Sequence, residues 1–207
     1  MSSTSFRKDL AAYVSSRLAI ARIALLWLAL SACAVLMSPA LSSTAVIFTL
    51  TLMAILILQF RLWDDIVDRH VDAIIHPQRS LVNTFHVQRF IYLCAGLCVP
   101  AVIALSYLDE THWLGYGVLL VAMAIFYAST SALPRLIRAH LVLLKYPIFI
   151  WLCASNANPT QWLRYGMVVY FALCVYEIAS DAALRTGKIW RWLIVIEGLA
   201  CAALLTL

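Results

Sequence analysis

This sequence predicts an all-α bundle that crosses a membrane several times, and three observations predict it. Of 207 residues, 64% are hydrophobic and only 12% are charged, whereas a water-soluble domain carries about half and about a quarter. The mean hydropathy is +0.92. The apolar runs are about 20 residues long, the length a helix needs to cross a hydrocarbon core of about 30 Å. They lack the period-two alternation of a membrane strand. Only helices and closed barrels satisfy their backbone polar groups in lipid, so the spans are predicted as helices.

Seven spans follow in order, at 18–37, 44–63, 87–108, 114–132, 140–155, 162–181 and 190–207. The fifth is the least regular, being short and containing Lys145 and Pro147. The connections are short, with no Gly/Ser linker and no change of composition, so residues 1–207 are predicted to form one domain. The first nine residues are polar and no A-x-A site closes a short apolar core, so no cleaved signal peptide is expected.

Charge sets the expected orientation. The N-terminal segment carries Arg7, Lys8, Arg17 and Arg22. The second connection carries Arg61, Arg69, Arg79 and Arg89, the fourth Arg135, Arg138 and Lys145, and the sixth Arg185, Lys188 and Arg191. The first connection is uncharged, the third has Asp109, Glu110 and His112, and the fifth has Arg164 alone. By the positive-inside rule the N-terminus is expected in the cytoplasm and the C-terminus outside. The net charge of +5 is then a matter of topology and makes no case for nucleic acid. Trp63, Tyr107, Trp113, Trp162, Trp190 and Trp192 fall near span ends, as an interfacial aromatic belt requires. Cys33, Cys94, Cys98, Cys153, Cys174 and Cys201 all lie in apolar spans without a C-x-x-C pair, and read as small apolar core residues.

The chemistry is expected where the second span ends. Asp64, Asp65, Asp68 and Asp72 fall within nine residues, and on a helix Asp65, Asp68 and Asp72 share one face. A charge in a span centre disfavours insertion by about 2.5–3.5 kcal/mol, so such a cluster calls for cations. Carboxylates are hard ligands that suit Mg²⁺ shared with substrate phosphates. The plain alternative is a solvated helix end partnered by the N-terminal arginines. A second acidic pair, Glu177 and Asp181, is spaced i, i+4 at the same predicted side. Arg69, Arg79, Arg135, Arg138, Lys145, Arg185 and Lys188 lie on that side too. A diphosphate is held by such a combination, with metal bridging acids to phosphate and Arg or Lys taking the remaining charge. Lys145 stands out because an ionisable residue embedded among apolar ones is a functional candidate by default.

The segment 64–81 resembles the first signature of the UbiA superfamily of intramembrane prenyltransferases, N-D-x-x-D-x-x-x-D followed by R-P-x-R-P-L. The family's aspartates fall on Asp65, Asp68 and Asp72, its second arginine on Arg79, and Pro77 and Leu81 also match. Asp64 stands where the family has Asn, His76 where it has Arg, and Ser80 where it has Pro. Glu177-Ile178-Ala179-Ser180-Asp181 resembles the second signature, D-x-x-x-D, with one conservative change. Tyr127 and Lys145 lie in the region of the family's Y-x-x-x-K element, at a different spacing.

The resemblance implies a prenyl diphosphate donor with Mg²⁺, or Mn²⁺, as cofactor. It implies Asp65, Asp68, Asp72 and Asp181 as catalytic. It implies Asp64, Asp65, Asp68, Asp72, Glu177 and Asp181 as metal ligands. Arg69, Arg79, Lys145, Arg185 and Lys188 would bind the diphosphate. Tyr127, Tyr170, Tyr176 and Trp63 offer aromatic faces to an allylic cation, each interaction contributing about 0.5–2 kcal/mol. Three activities fit: prenyl transfer to a small acceptor, cyclisation in which the chain's own alkene captures the cation, and lipid binding by a non-catalytic homologue. The family usually has nine spans, so the last two are expected to be missing here, leaving spans one and seven beside a lateral opening. That face would admit a prenyl chain from the bilayer, or pack against a second copy through Gly198, Ala200, Ala202 and Ala203 of span seven and Ala19, Ala21 and Ala24 of span one.

Overall fold

The computed structural model describes residues 5–17, 20–38, 41–108, 111–129, 133–154, 158–186 and 188–206. Asp109, Glu110 and Ala19 lie outside these. Every regular element among the described residues is helical: α1 Phe6–Arg17, α2 Ile20–Leu36, α3 Ser43–Val67, α4 Arg69–Ile75, α5 Ser80–Asn83, α6 Val87–Gly96, α7 Cys98–Leu108, α8 His112–Ser129, α9 Arg135–Leu143, α10 Lys145–Cys153, α11 Pro159–Ser180 and α12 Ile189–Thr206, with a 3₁₀ turn at Ala182–Arg185. Among the described residues, six continuous or nearly continuous helices are long and apolar enough to cross a membrane: Ser43–Val67, Val87–Leu108, His112–Ser129, Arg135–Cys153, Pro159–Ser180 and Ile189–Thr206. The number reaches seven if α1 and α2, whose axes differ by 72°, count as one bent span. Alone, the 17 residues of α2 reach about 26 Å at 1.5 Å per residue. The protein is thus an integral, multi-pass helical membrane protein.

Two of the spans are broken, and proline explains both. Proline has no amide hydrogen and its ring collides with the carbonyl four residues earlier. Pro100 therefore disrupts the helix at Gly96, where α6 gives way to α7. Pro147 acts on Leu143, where α9 gives way to α10. The fifth span accordingly begins at Arg135, five residues before the expected start at 140, because the helix tolerates two arginines in its first turns. The second span likewise runs four residues past 63 and carries Asp64 and Asp65 inside the helix.

Helix starts follow ordinary capping chemistry. Ser42 accepts the Ala45 amide at 3.2 Å to begin α3. Asn158 accepts the Thr160 amide at 2.9 Å, with Pro159 in the first turn where its missing amide hydrogen costs nothing.

α3 and α10 form the centre. α3 packs against α2, α6, α7 and α10, and α10 against α2, α8 and α11. Leu52, Met53, Leu56, Ile57 and Phe60 of α3 meet Phe149, Ile150, Leu152 and Cys153 of α10 in the main core. Three polar side chains inside it find partners, as a water-free interior favours. Tyr116 donates to Gln59 Oε1 at 2.7 Å, Gln59 Nε2 donates to Cys98 Sγ at 3.0 Å, and Thr49 donates to the Cys153 carbonyl at 3.2 Å. α8 approaches α10 closely at Gly115, where a Cβ would overlap the Trp151 ring. α12 is peripheral and leans on α11.

A lattice of paired carboxylates at one end of the bundle

α3 ends at Val67, and Asp68 both closes it and opens α4. The backbone stays nearly helical across this junction, with the amides of Asp68 and Asp72 donating to the carbonyls of Asp64 and Asp68 at 2.9 and 2.8 Å. That local geometry holds four acids together; α1, α9 and α10 bring cations to Asp65, Asp68 and Asp64, and the connection before α5 brings Arg79 to Asp72.

Asp64 accepts from Lys145 Nζ and from the Tyr127 hydroxyl. Lys145 is 2% exposed and heads α10, beside the break that Pro147 imposes. Asp65 is gripped by α1: Arg17 binds both carboxylate oxygens, the Tyr13 hydroxyl donates to Oδ2 at 2.9 Å, and Arg61 stands 3.7 Å away. A bidentate guanidinium is among the strongest carboxylate partners. The alternative of N-terminal arginines as partners is thus realised at Arg17. Asp72 is buried and paired with Arg79. Asp68 is half-exposed and accepts from Arg138 Nη2 at 2.8 Å. Its carboxyl titrates above its ordinary 3.8. Burial is the main cause, Arg138 partly offsets it, and Asp64, Asp72 and Asp65 add repulsion.

The second acidic sequence reaches the same end. Arg135 Nη2 donates to Asp181 Oδ2 at 2.8 Å, and Asp181 Oδ1 caps the 3₁₀ turn by accepting the Ala183 amide at 2.9 Å. Arg135 and Arg138 stand three residues apart on α9, so one helical face links Asp181 to Asp68. Glu177, one turn before Asp181, lies within electrostatic reach of Arg61 and Arg135. Arg61 in turn faces Asp65 and Asp64.

The remaining basic candidates divide. Arg79 and Lys145 are inside the lattice. Arg69 donates to the Leu81 and Val82 carbonyls at 3.0 and 3.4 Å and secures the short α5. Arg185 and Lys188 are exposed on and beyond the 3₁₀ turn. Of the aromatic candidates, Tyr127 and Trp63 sit together, ring centroids 5.4 Å apart; Tyr146, not among them, has the Lys145 ammonium over its ring. Tyr170 is elsewhere, hydrogen-bonded to Glu197 at 3.1 Å, and Tyr176 is exposed.

Sequence reasoning named the N-terminal arginines only as a group and did not select Tyr13 or Arg61 as partners of the acids. Arg61 precedes Asp65 by one helical turn, a spacing that signals an ion pair; Tyr13 had no such signal, being 52 residues away. It also missed Glu197, an acid in the middle of the last span, for which intramembrane placement was itself the signal.

Fold and site together define a polytopic helical membrane protein with an ion-paired acidic cluster at one end of its bundle. Comparison with family models, with curated proteins and with solved structures gives no match.

Proposed function

We propose that this end of the bundle binds a prenyl diphosphate and transfers its prenyl group to a small acceptor, in a UbiA-like enzyme of about seven spans. The observation that carries the reading is the bridge made by α9, whose Arg135 and Arg138 reach Asp181 and Asp68 and so bring two acids 113 residues apart to one place. The donor set suits Mg²⁺, since every acid offers only hard oxygen ligands. Asp64, Asp65, Asp68, Asp72, Glu177 and Asp181 would hold Mg²⁺, which neutralises diphosphate charge when bound.

The chain's own residues supply the rest. Arg79, Arg135, Arg138 and Lys145 exchange their carboxylate partners for diphosphate oxygens, so no charge is left unpaired before or after binding. Lys145, desolvated at the head of α10, favours charge developing on the leaving diphosphate. Tyr127, Trp63 and Tyr146 present aromatic faces beside that position and exclude water from an allylic cation. The isoprenoid chain lies among the lipid-facing helices, several of which are little buried by the protein. The basic connections favour a cytoplasmic position for this end.

Incubation of the protein in liposomes with labelled prenyl diphosphates, Mg²⁺ and small aromatic acceptors tests the proposal. A new acceptor conjugate that disappears in Asp68→Ala is expected. A released cyclic hydrocarbon or alcohol would instead identify a cyclase. A second reading has its own support: Asp64, Asp65, Asp68, Asp72 and Asp181 are each already ion-paired within the chain. A non-catalytic homologue that holds a lipid diphosphate needs no more than this, and would bind the labelled donor without turning it over.

A further inference from the structure

A second polar cluster lies within the membrane part of the bundle, apart from the lattice of aspartates. His140 near the end of α9, Cys174 in α11 and Glu197 in α12 offer ligand atoms that all lie within 4.8 Å of one another. Glu197 is eight residues into α12, about 12 Å along the helix at 1.5 Å per residue. We propose that His140, Cys174 and Glu197 form a binding site for a divalent transition metal of the Zn²⁺ class.

Four observations carry this. The donor set is one imidazole, one thiol and one carboxylate, the mixture that borderline ions such as Zn²⁺ select over Mg²⁺. The ligands are already converged: His140 Nδ1 is 2.8 Å from Glu197 Oε1, and the Cys174 sulfur lies within 4.8 Å of both ligand atoms. Adjacent ligands on a tetrahedral Zn²⁺ stand about 3.5 Å apart, so binding requires a small opening of the His–Glu pair and an approach of the sulfur. Polar capacity is also unspent. His140 is 3% exposed, and among the described residues its Nε2 and the Glu197 Oε2 are buried without a hydrogen-bond partner. Such orphans are rare in a membrane interior, where no solvent compensates them. Finally, charge balances. A Zn²⁺ with one thiolate, one carboxylate and one neutral imidazole is an uncharged ensemble, which a low dielectric tolerates far better than an isolated ion.

Binding forms a metal–sulfur bond and releases the Cys174 thiol proton to solvent. The Tyr170 hydroxyl, donating to Glu197 Oε1 at 3.1 Å, is the outer partner that orients the carboxylate. Three protein ligands leave a fourth position for water or a small ligand. Glu177 lies within electrostatic reach of His140, so the site adjoins the acidic end without sharing its ligands.

The test uses full-length protein in detergent, stripped with a chelator and then equilibrated with Zn²⁺ alone against excess Mg²⁺. About one Zn²⁺ per chain is expected, and substitution by Co²⁺ should give the near-ultraviolet thiolate charge-transfer band. Cys174→Ala should abolish the band, and His140→Gln and Glu197→Gln should weaken Zn²⁺ binding at least about tenfold. Asp68→Asn should leave both unchanged. Glu197→Gln is isosteric and guards against loss of fold, monitored by helical circular dichroism and elution volume. Failure of the wild-type protein to retain Zn²⁺, or retention with an unaltered band in Cys174→Ala, would overturn the site.

Discussion

α3 and α12 are both apolar helices that carry acid into the membrane zone, yet they solve the problem differently. In the most apolar stretch of α3, 44% of residues are buried inside the protein, against 6% in α12. α3 places Asp64 and Asp65 at its end, where α1, α8 and α10 supply their partners, and a fixed cation answers each. α12 places Glu197 mid-helix on the bundle's edge. Its carboxylate is nevertheless only 12% exposed, because His140 and Tyr170 fold over it. The acids of α3 are held by permanent charge, and Glu197 by groups that are neutral or switchable. The first arrangement suits exchange of one anion for another, since its cations persist when carboxylates let go. The second suits capture of a cation, since its ligands gain charge partners only when one arrives.

Substitution of Lys145 should have the largest effect on that contrast. Lys145→Ala leaves Asp64 in a largely dry setting with Tyr127 as its hydrogen-bond partner and Arg61 at longer range, and the expected destabilisation is about 3–5 kcal/mol. Pairing it with Asp64→Asn should restore much of the loss, since the unpaired charge is removed with its partner. Equilibrium unfolding of the single and double variants in bicelles measures this, and equal instability of both would mean that packing rather than charge holds this point.

Arg17→Gln sharpens the role of the first helix. It removes the bidentate partner of Asp65 while Arg61 and Tyr13 remain, so a smaller destabilisation of about 1–3 kcal/mol is expected. The freed carboxylate should bind Mg²⁺ more tightly, because a competing cation is gone. Calorimetric titration with Mg²⁺ checks the direction; weaker binding would show that Arg17 positions Asp65 instead of competing for it.

Tyr170→Phe tests the neutral clasp on α12. It deletes one hydrogen bond to Glu197 without changing shape, for an expected loss of about 1 kcal/mol. No change in Mg²⁺ affinity should accompany it. A parallel fall in Mg²⁺ binding, followed by the same titration, would merge the two regions into one.

The smallest effect is expected from acid. Asp68 takes up its proton above 3.8, so Mg²⁺ binding at the aspartates should begin to fall at a higher pH than a free aspartate would dictate. For stability the sign is opposite. A carboxyl whose folded value is raised binds protons more readily in the folded state, so its contribution to stability grows as pH falls through that value. Titrating Mg²⁺ affinity against pH in the wild-type protein and in Asp68→Asn isolates this group, and identical profiles would assign the acid sensitivity to other residues.

Much of the molecule was legible in the linear chain because membrane insertion is a property of segments. A run of apolar residues either satisfies the bilayer or does not, so composition and run length determined the helical, multi-pass class and approximate spans. The acidic string 64–72 was legible for a similar reason: unfavourable charge beside apolar sequence marks itself. Proline at 147 marked the irregular fifth span through a constraint confined to one turn, whereas the break before Pro100 was not anticipated within the span 87–108. What the sequence did not contain was partnership. Arg17, Tyr13, Arg138 and Lys145 meet their aspartates across 48 to 81 residues, and His140 meets Glu197 across 57. Such pairings depend on which helices lie side by side and how each is rotated about its axis. Local propensity and hydropathy set neither, and only the packed bundle decides them.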